Sequence, residues 1–183
     1  GEIMTKLCLV RHGETDWNVI GRWQGREDIE LNENGRAQAH NCAEKMKNRK
    51  WRAILTSPLK RARETADIIA TVLGIDNVYE DIDLTERDIG QISGMTMEER
   101  DIMFPDGKYE GMEDWELLRN RVYNAVLNGA ERFYPQDIII ISHDGAIRAL
   151  RSKLTKHEID TGKALKNTYI TMLSFTDKTL KLI

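Results

Sequence analysis

Two short apolar segments, each running directly into a histidine, constrain this chain more than any other feature. Residues 6–10 (KLCLV) lead into Arg11 and His12, and residues 137–142 (DIIIIS) lead into His143. A continuous apolar run rich in β-branched residues reads as a strand buried on both faces, as in a parallel sheet covered by helices. The intervening sequence supplies those helices. Residues 33–47 have helical character, with Asn32 as N-cap. Residues 53–56 form a short strand, and Ser57-Pro58 then offers an N-cap followed by proline at the first helical position. The helix that follows carries Leu59, Ala62, Ala66, Ile69, Ala70 and Leu73 on one face and closes at Gly74. Thr96 and Glu99 have the spacing of a capping box. Residues 114–133 repeat Leu117, Leu118, Val122, Val126 and Ala130 every three or four positions, the mark of an amphipathic helix. A helix over 145–154 follows His143 at once. Residues 168–175 and 180–183 read as a hairpin turning at 176–178. The expected fold is α/β: a three-layer α/β/α sandwich with a mostly parallel sheet and an antiparallel edge strand or two.

The chain has 183 residues and carries neither an internal repeat nor a Pro/Gly/Ser-rich linker, so a single domain over 4–183 is expected. Gly1, with Met4 just inside, leads to the expectation that residues 1–3 are a cloning remnant. No apolar run approaches the ~20 residues of a membrane span, and the N-terminus lacks a signal-peptide layout. Cys8 and Cys42 cannot build a disulfide framework and form no C-x-x-C pair, so a cytoplasmic protein with two structural thiols is expected. Its formal net charge is -3. That balance argues against a nucleic-acid partner, although it leaves room for a local cluster of cations.

In an open α/β sheet, ligands bind beyond the carboxyl ends of the strands. Three predicted strands end there in reactive residues: Arg11-His12, Thr56-Ser57 and His143. Arg61, one turn into the next helix, can point to the same crevice. Two guanidinium forks match phosphate or carboxylate oxygens. A neutral imidazole among them is a nucleophile suited to phosphorus, because the neighbouring cations lower its pKa and stabilise the transferring group. The backbone amide of Gly145, at a helix start, offers a further anion donor. An acid is needed for the leaving group, and Glu86 is the best candidate, with Asp83 and Asp88 as near rivals. A metal site on His12, His143, Glu14 and Asp144 is the competing arrangement, but the arginines would repel the ion. His40 and His157 default to structural roles, and Arg63 to a solvated helix position.

The residues around these positions resemble the histidine phosphatase superfamily, the phosphoglycerate-mutase-like proteins. The stretch Leu9-Val10-Arg11-His12-Gly13-Glu14-Thr15 carries the signature. Gly21-Arg22-Trp23-Gln24-Gly25, Thr56-Ser57-Pro58-Leu59-Lys60-Arg61-Ala62, Leu84-Thr85-Glu86 and Ser142-His143-Asp144-Gly145 follow in matching order. The resemblance implies that His12 becomes a phosphohistidine and that Arg11, Arg61 and His143 grip the phosphoryl oxygens. It also implies that Glu86 donates the proton, that Asn18 contacts the phosphate, that Trp23 and Gln24 face the substrate, and that no metal or other cofactor takes part. Asp144 departs from the small residue commoner after the second histidine. Either it pairs with Arg148 four residues on, or it is a charge that selects substrate.

Within the family the choice lies between hydrolysis and mutase-type phosphoryl transfer (isomerisation) at the same site. A mutase must retain a highly anionic intermediate under covering segments rich in cations. Here the lid-like insertion, about 90–113, is short and carries Arg100 and Lys108 against Glu98, Glu99, Asp101, Asp106, Glu110 and Glu113. The expectation is a phosphatase acting on a small phosphorylated substrate, as monomer or homodimer. A non-catalytic binding module would be expected to lack one of the core residues, and all are present.

Overall fold

The computed structural model describes residues 2–159 and 163–183. Residue 1, and residues 160–162 of the polar stretch around His157, lie outside them. The strands are β1 (Thr5–Arg11), β2 (Ala53–Thr56), β3 (Val78–Glu80), β4 (Ile138–Ser142), β5 (Ile170–Thr176) and β6 (Thr179–Leu182). The helices are α1 (Asp16–Ile20), α2 (Glu33–Glu44), α3 (Lys60–Leu73), α4 (Met97–Met103), α5 (Trp115–Phe133) and α6 (Asp144–Thr155). One six-stranded sheet has the order β3-β2-β4-β1-β5-β6. Its first four strands are parallel, and β5 and β6 add antiparallel at one side.

Alternation along the strands divides the core into two layers. Leu7, Leu9, Leu55, Ile138 and Ile140 pack with α5 and α6, through residues such as Leu118, Val122 and Ile147. Cys8, Val10, Ile54, Ile139 and Ile141 face α2 and α3, meeting Cys42, Ala62, Ala66 and Ile69. The apolar run of β4 therefore feeds both layers. Ile138, Ile139, Ile140 and Ile141 are each 0% exposed, and full burial of such a side chain stabilises by roughly 1.5–3 kcal/mol. The fold is the α/β/α sandwich expected.

Local signals hold in part. Asn32 caps α2 by accepting from the Gly35 amide, and Thr96 with Glu99 forms a complete capping box on α4. Helix α2 stops at Glu44 rather than 47, because its last turn tightens into bonds such as Met46 N–H to Ala43 O (2.9 Å). Helix α3 starts at Lys60, and its N-cap Leu59 gives no side-chain hydrogen bond. The Ser57-Pro58 start is thus corrected by two residues: Ser57 stays at the strand end, in contact with a histidine. The hairpin turns at Asp177 and Lys178, both with positive φ.

Candidate active site

Strand register brings the three reactive ends level. Arg11 pairs with Ser142, and Thr56 with Ile141. The chain then crosses over: the His12 amide donates to Ser142 O (3.1 Å) and the Ser57 amide to Ile141 O (3.0 Å). The rings of His12 and His143 lie with centroids 5.3 Å apart.

His12 is held by its own turn. Its Nδ1 lies 2.6 Å from Gly13 O. A carbonyl can only accept, so Nδ1 carries the ring proton and Nε2 keeps the lone pair in the neutral imidazole. Burial, reinforced by Arg11 and Arg61, holds the His12 pKa well below the ordinary histidine value. The Gly13 amide donates to Thr65 Oγ1 and Thr65 Oγ1 donates to Arg61 O, which ties the loop after His12 to α3. A Cβ on Gly13 would meet Gly35 O at 2.4 Å, so the loop also relies on glycine to let α2 approach.

The cations are half engaged. Arg11 Nη1 donates to Leu165 O, and Arg61 Nη2 to Gly25 O (2.6 Å). Arg61 also reaches Glu27 O. Arg11 Nε and Arg61 Nε are buried without a partner, as is His143 Nδ1. His143 Nε2 lies 2.8 Å from Ser57 Oγ. Burial, with Arg61 and His12 nearby, places the His143 pKa well below the usual value as well. Burial pushes Arg61 down to about 10, so it stays charged at neutral pH.

Glu86 lies on the loop after a 3-10 turn. Its Oε2 accepts from the Gly145 amide (2.9 Å), and its Oε1 from the amides of Ala146 (3.0 Å) and Arg87 (2.7 Å). The carboxylate therefore caps α6, whose N-cap His143 supplies no side-chain bond. This corrects one expectation: the Gly145 amide is engaged by Glu86 rather than open to an external anion. A Cβ there would sit 2.6 Å from Glu86 Oε1, so any side chain at this position would displace that carboxyl.

Arg11, His12, Asn18, Trp23, Gln24, Arg61, Glu86 and Gly145 all line one cavity of about 690 Å³, with His143 buried behind it. Asn18 Oδ1 accepts from the Thr15 amide and from Asn167 Nδ2, and Gln24 Oε1 accepts from Thr15 Oγ1 at 2.6 Å. Asp144 is bidentate to Arg148 (2.8 and 3.1 Å) and also accepts from the Leu165 amide, so the pairing expected at that departure is present.

Of the other wall residues, Arg87, Tyr109 and Trp115 carried no sequence signal of their own, whereas Arg100 lay in the expected lid. Arg87 stacks 3.9 Å over Trp115, and Arg100 4.7 Å over Trp23. Tyr109, Met112 and Met97 complete that side. The acidic residues of 90–113 do not line the cavity; that segment contributes Ile92, Met97, Arg100, Tyr109 and Met112. Glu98, Glu99, Asp101, Asp106 and Glu110 are exposed, while Glu113 is shielded and paired with Arg121 outside the cavity lining. Among the described residues, no three His, Cys, Asp or Glu side chains gather as a metal-binding group, and no helix is long and apolar enough to cross a membrane.

Residues 7–183 match the family model of the histidine phosphatase superfamily (branch 1). The chain belongs to that superfamily. Among its relatives, the uncharacterized phosphatase PhoE of Bacillus subtilis is 42% identical over 152 residues, 83% of this chain and 78% of that protein. The metal-independent phosphoserine phosphatase of Arabidopsis thaliana is 33% identical over 170 residues, covering 84% and 70%. Among solved structures, Bacillus stearothermophilus YhfR superposes with a TM-score of 0.89 at 28% identity, over 97% of this chain and 95% of that one. This superfamily member thus shares its α/β sandwich with solved relatives along nearly its whole length.

Proposed function

We propose that this superfamily member is a phosphatase that hydrolyses a small phosphomonoester, without a metal ion, through a phosphohistidine on His12. The observation that carries the reading is the state of His12: Nδ1 is pinned to Gly13 O, and burial beside two arginines keeps the ring neutral. That leaves Nε2 as an unprotonated nucleophile in a cavity whose buried guanidinium donors still lack acceptors. Phosphoryl oxygens are the acceptors such donors suit.

In the first step Nε2 attacks phosphorus, the P–O ester bond breaks, and the leaving oxygen takes a proton from Glu86. In the second, the Glu86 carboxylate accepts a proton from water as the water oxygen attacks phosphorus. The P–N bond breaks, Nε2 recovers its lone pair, and orthophosphate leaves. Arg11, Arg61 and His143 stabilise charge on the phosphoryl oxygens throughout. Asn18 and Gln24 flank the phosphate. The organic part of the substrate lies against Trp23, Tyr109, Met97, Met112 and Trp115, under residues 90–113 acting as a lid. The relatives named phosphatase and metal-independent phosphoserine phosphatase support hydrolysis of a small soluble substrate, which suits a cytoplasmic enzyme.

The test is phosphate release from a panel of phosphomonoesters, 3-phosphoglycerate included, in excess chelator. Turnover to orthophosphate in wild type and none in His12→Ala is expected. Chelator-sensitive turnover would favour a metal. Phosphoglycerate isomerisation with little hydrolysis would favour mutase chemistry.

A further inference from the structure

Arg121 does not line the cavity, yet it is the most completely bonded cation near it. Its Nε reaches Glu113 Oε2 (2.8 Å) and its Nη2 reaches Glu113 Oε1 (2.9 Å). Nη1 donates to the carbonyls of Asp83 (2.7 Å) and Thr85 (2.9 Å), and Nη2 to that of Glu86 (3.1 Å). These contacts use every N–H a guanidinium has. The pair is shielded, with side chains 17% and 12% exposed. Glu113 extends the clamp: its Oε1 accepts from the Asp88 amide (3.2 Å), and its own amide donates to Asp88 O (2.8 Å).

The loop so held contains Glu86 and has only the short 3-10 turn Ile82–Leu84 as regular structure. No strand ladder fixes it. Arg121 grips its backbone on the α5 side, and the amides of Gly145 and Ala146 grip the Glu86 carboxyl on the α6 side. Glu86 is thus held from two helices, and Arg26 Nε adds a longer contact to its carbonyl (3.3 Å). We propose that Arg121 is a positioning residue for the proton donor, acting through the loop carbonyls rather than on the substrate. The proposal rests on the reading of Glu86 as that donor. A lysine keeps the charge but cannot supply a planar fork and three further donors.

Leaving-group dependence separates positioning from a merely structural role. Phenolate is a poorer leaving group than p-nitrophenolate, so phenyl phosphate depends more on a well-placed acid than p-nitrophenyl phosphate does. We would measure kcat/KM on both substrates for wild type, Glu86→Gln, Arg121→Lys and the double variant. Arg121→Lys is expected to lose about tenfold more on phenyl phosphate than on p-nitrophenyl phosphate. The double variant should show the same substrate ratio as Glu86→Gln alone. A selective loss in Glu86→Gln beside an equal loss on both substrates in Arg121→Lys would overturn the proposal alone. An equal loss in Glu86→Gln itself would overturn the proton-donor reading, and the proposal with it. Should Arg121→Lys not fold, Glu113→Gln, which loosens the fork while keeping its shape, carries the same comparison with the same refuting result.

Discussion

Replacing Gly145 with alanine tests the placement of Glu86 with one methyl group. The new Cβ would stand 2.6 Å from Glu86 Oε1 and 3.3 Å from Oε2. An ordinary C···O contact is about 3.4 Å, so the carboxyl must retreat by about 0.8 Å, stretching its 2.9 and 3.0 Å bonds to the α6 amides. General acid catalysis contributes roughly 100- to 10,000-fold, and a displacement of about 1 Å can cost 100-fold. We therefore expect kcat/KM on phenyl phosphate to fall roughly 10- to 100-fold, with a smaller loss on p-nitrophenyl phosphate. Stability should move little. The weakened cap costs about 0.5–2 kcal/mol, while alanine in place of glycine at a helical position returns up to about 1 kcal/mol. Steady-state kinetics on both substrates and a urea titration read the two effects separately. Unchanged kinetics with a normal fold would refute the claim that the position of this carboxyl controls the chemistry.

Three further outcomes follow from the same contacts. Both histidines have native pKa values below the unfolded value near 6.5, so the unfolded chain binds protons that the native state does not. Their contribution leaves stability full above that value and lowers it as pH falls below it. Denaturant titrations of wild type should show this slope and those of the His12→Asn/His143→Asn variant should flatten it; an equal slope would remove the assignment. Ser57→Ala leaves His143 Nε2 without its 2.8 Å partner. It should cost about 1–3 kcal/mol in a urea titration, and a stability equal to wild type would show that the contact is not maintained. Burial pushes the Cys8 thiol up to about 12 and that of Cys42 up to about 11. Neither should react with a thiol reagent until the protein unfolds, and fast labelling of the native protein would contradict their packing.

The parts legible in the sequence are those decided by local pattern. The unbroken isoleucine run of β4 belongs on both faces of a sheet, and the caps at Asn32 and Thr96 need only the next few residues. The level alignment of Arg11-His12, Ser57 and His143 followed from placing three strand ends in one parallel sheet. What escaped was set by partners distant in the chain. β3 has three residues and exists because β2 offers it an edge. Ser57 reads locally as a helix cap, but His143, 86 positions away, sits against its hydroxyl. The Gly145 amide looks free until Glu86, 59 residues earlier, is folded onto it. The acidic count over 90–113 says nothing about which side of the segment faces the cavity; the wall is built from Ile92, Met97, Met112, Tyr109 and Arg100 instead. Arg121 and Trp115 carry no local mark, because each acts through a contact with another element.

The central claim is that His12 Nε2 forms a bond to phosphorus during turnover. Rapid quenching of wild type mixed with p-nitrophenyl phosphate, followed by peptide mass spectrometry under conditions that preserve phosphoramidates, tests it directly. The account predicts one phosphoryl group, on the peptide containing His12, stable to base and labile to acid, and absent from His12→Ala. Phosphate release in wild type with no such adduct on that peptide, or an adduct on Ser57 instead, would contradict it.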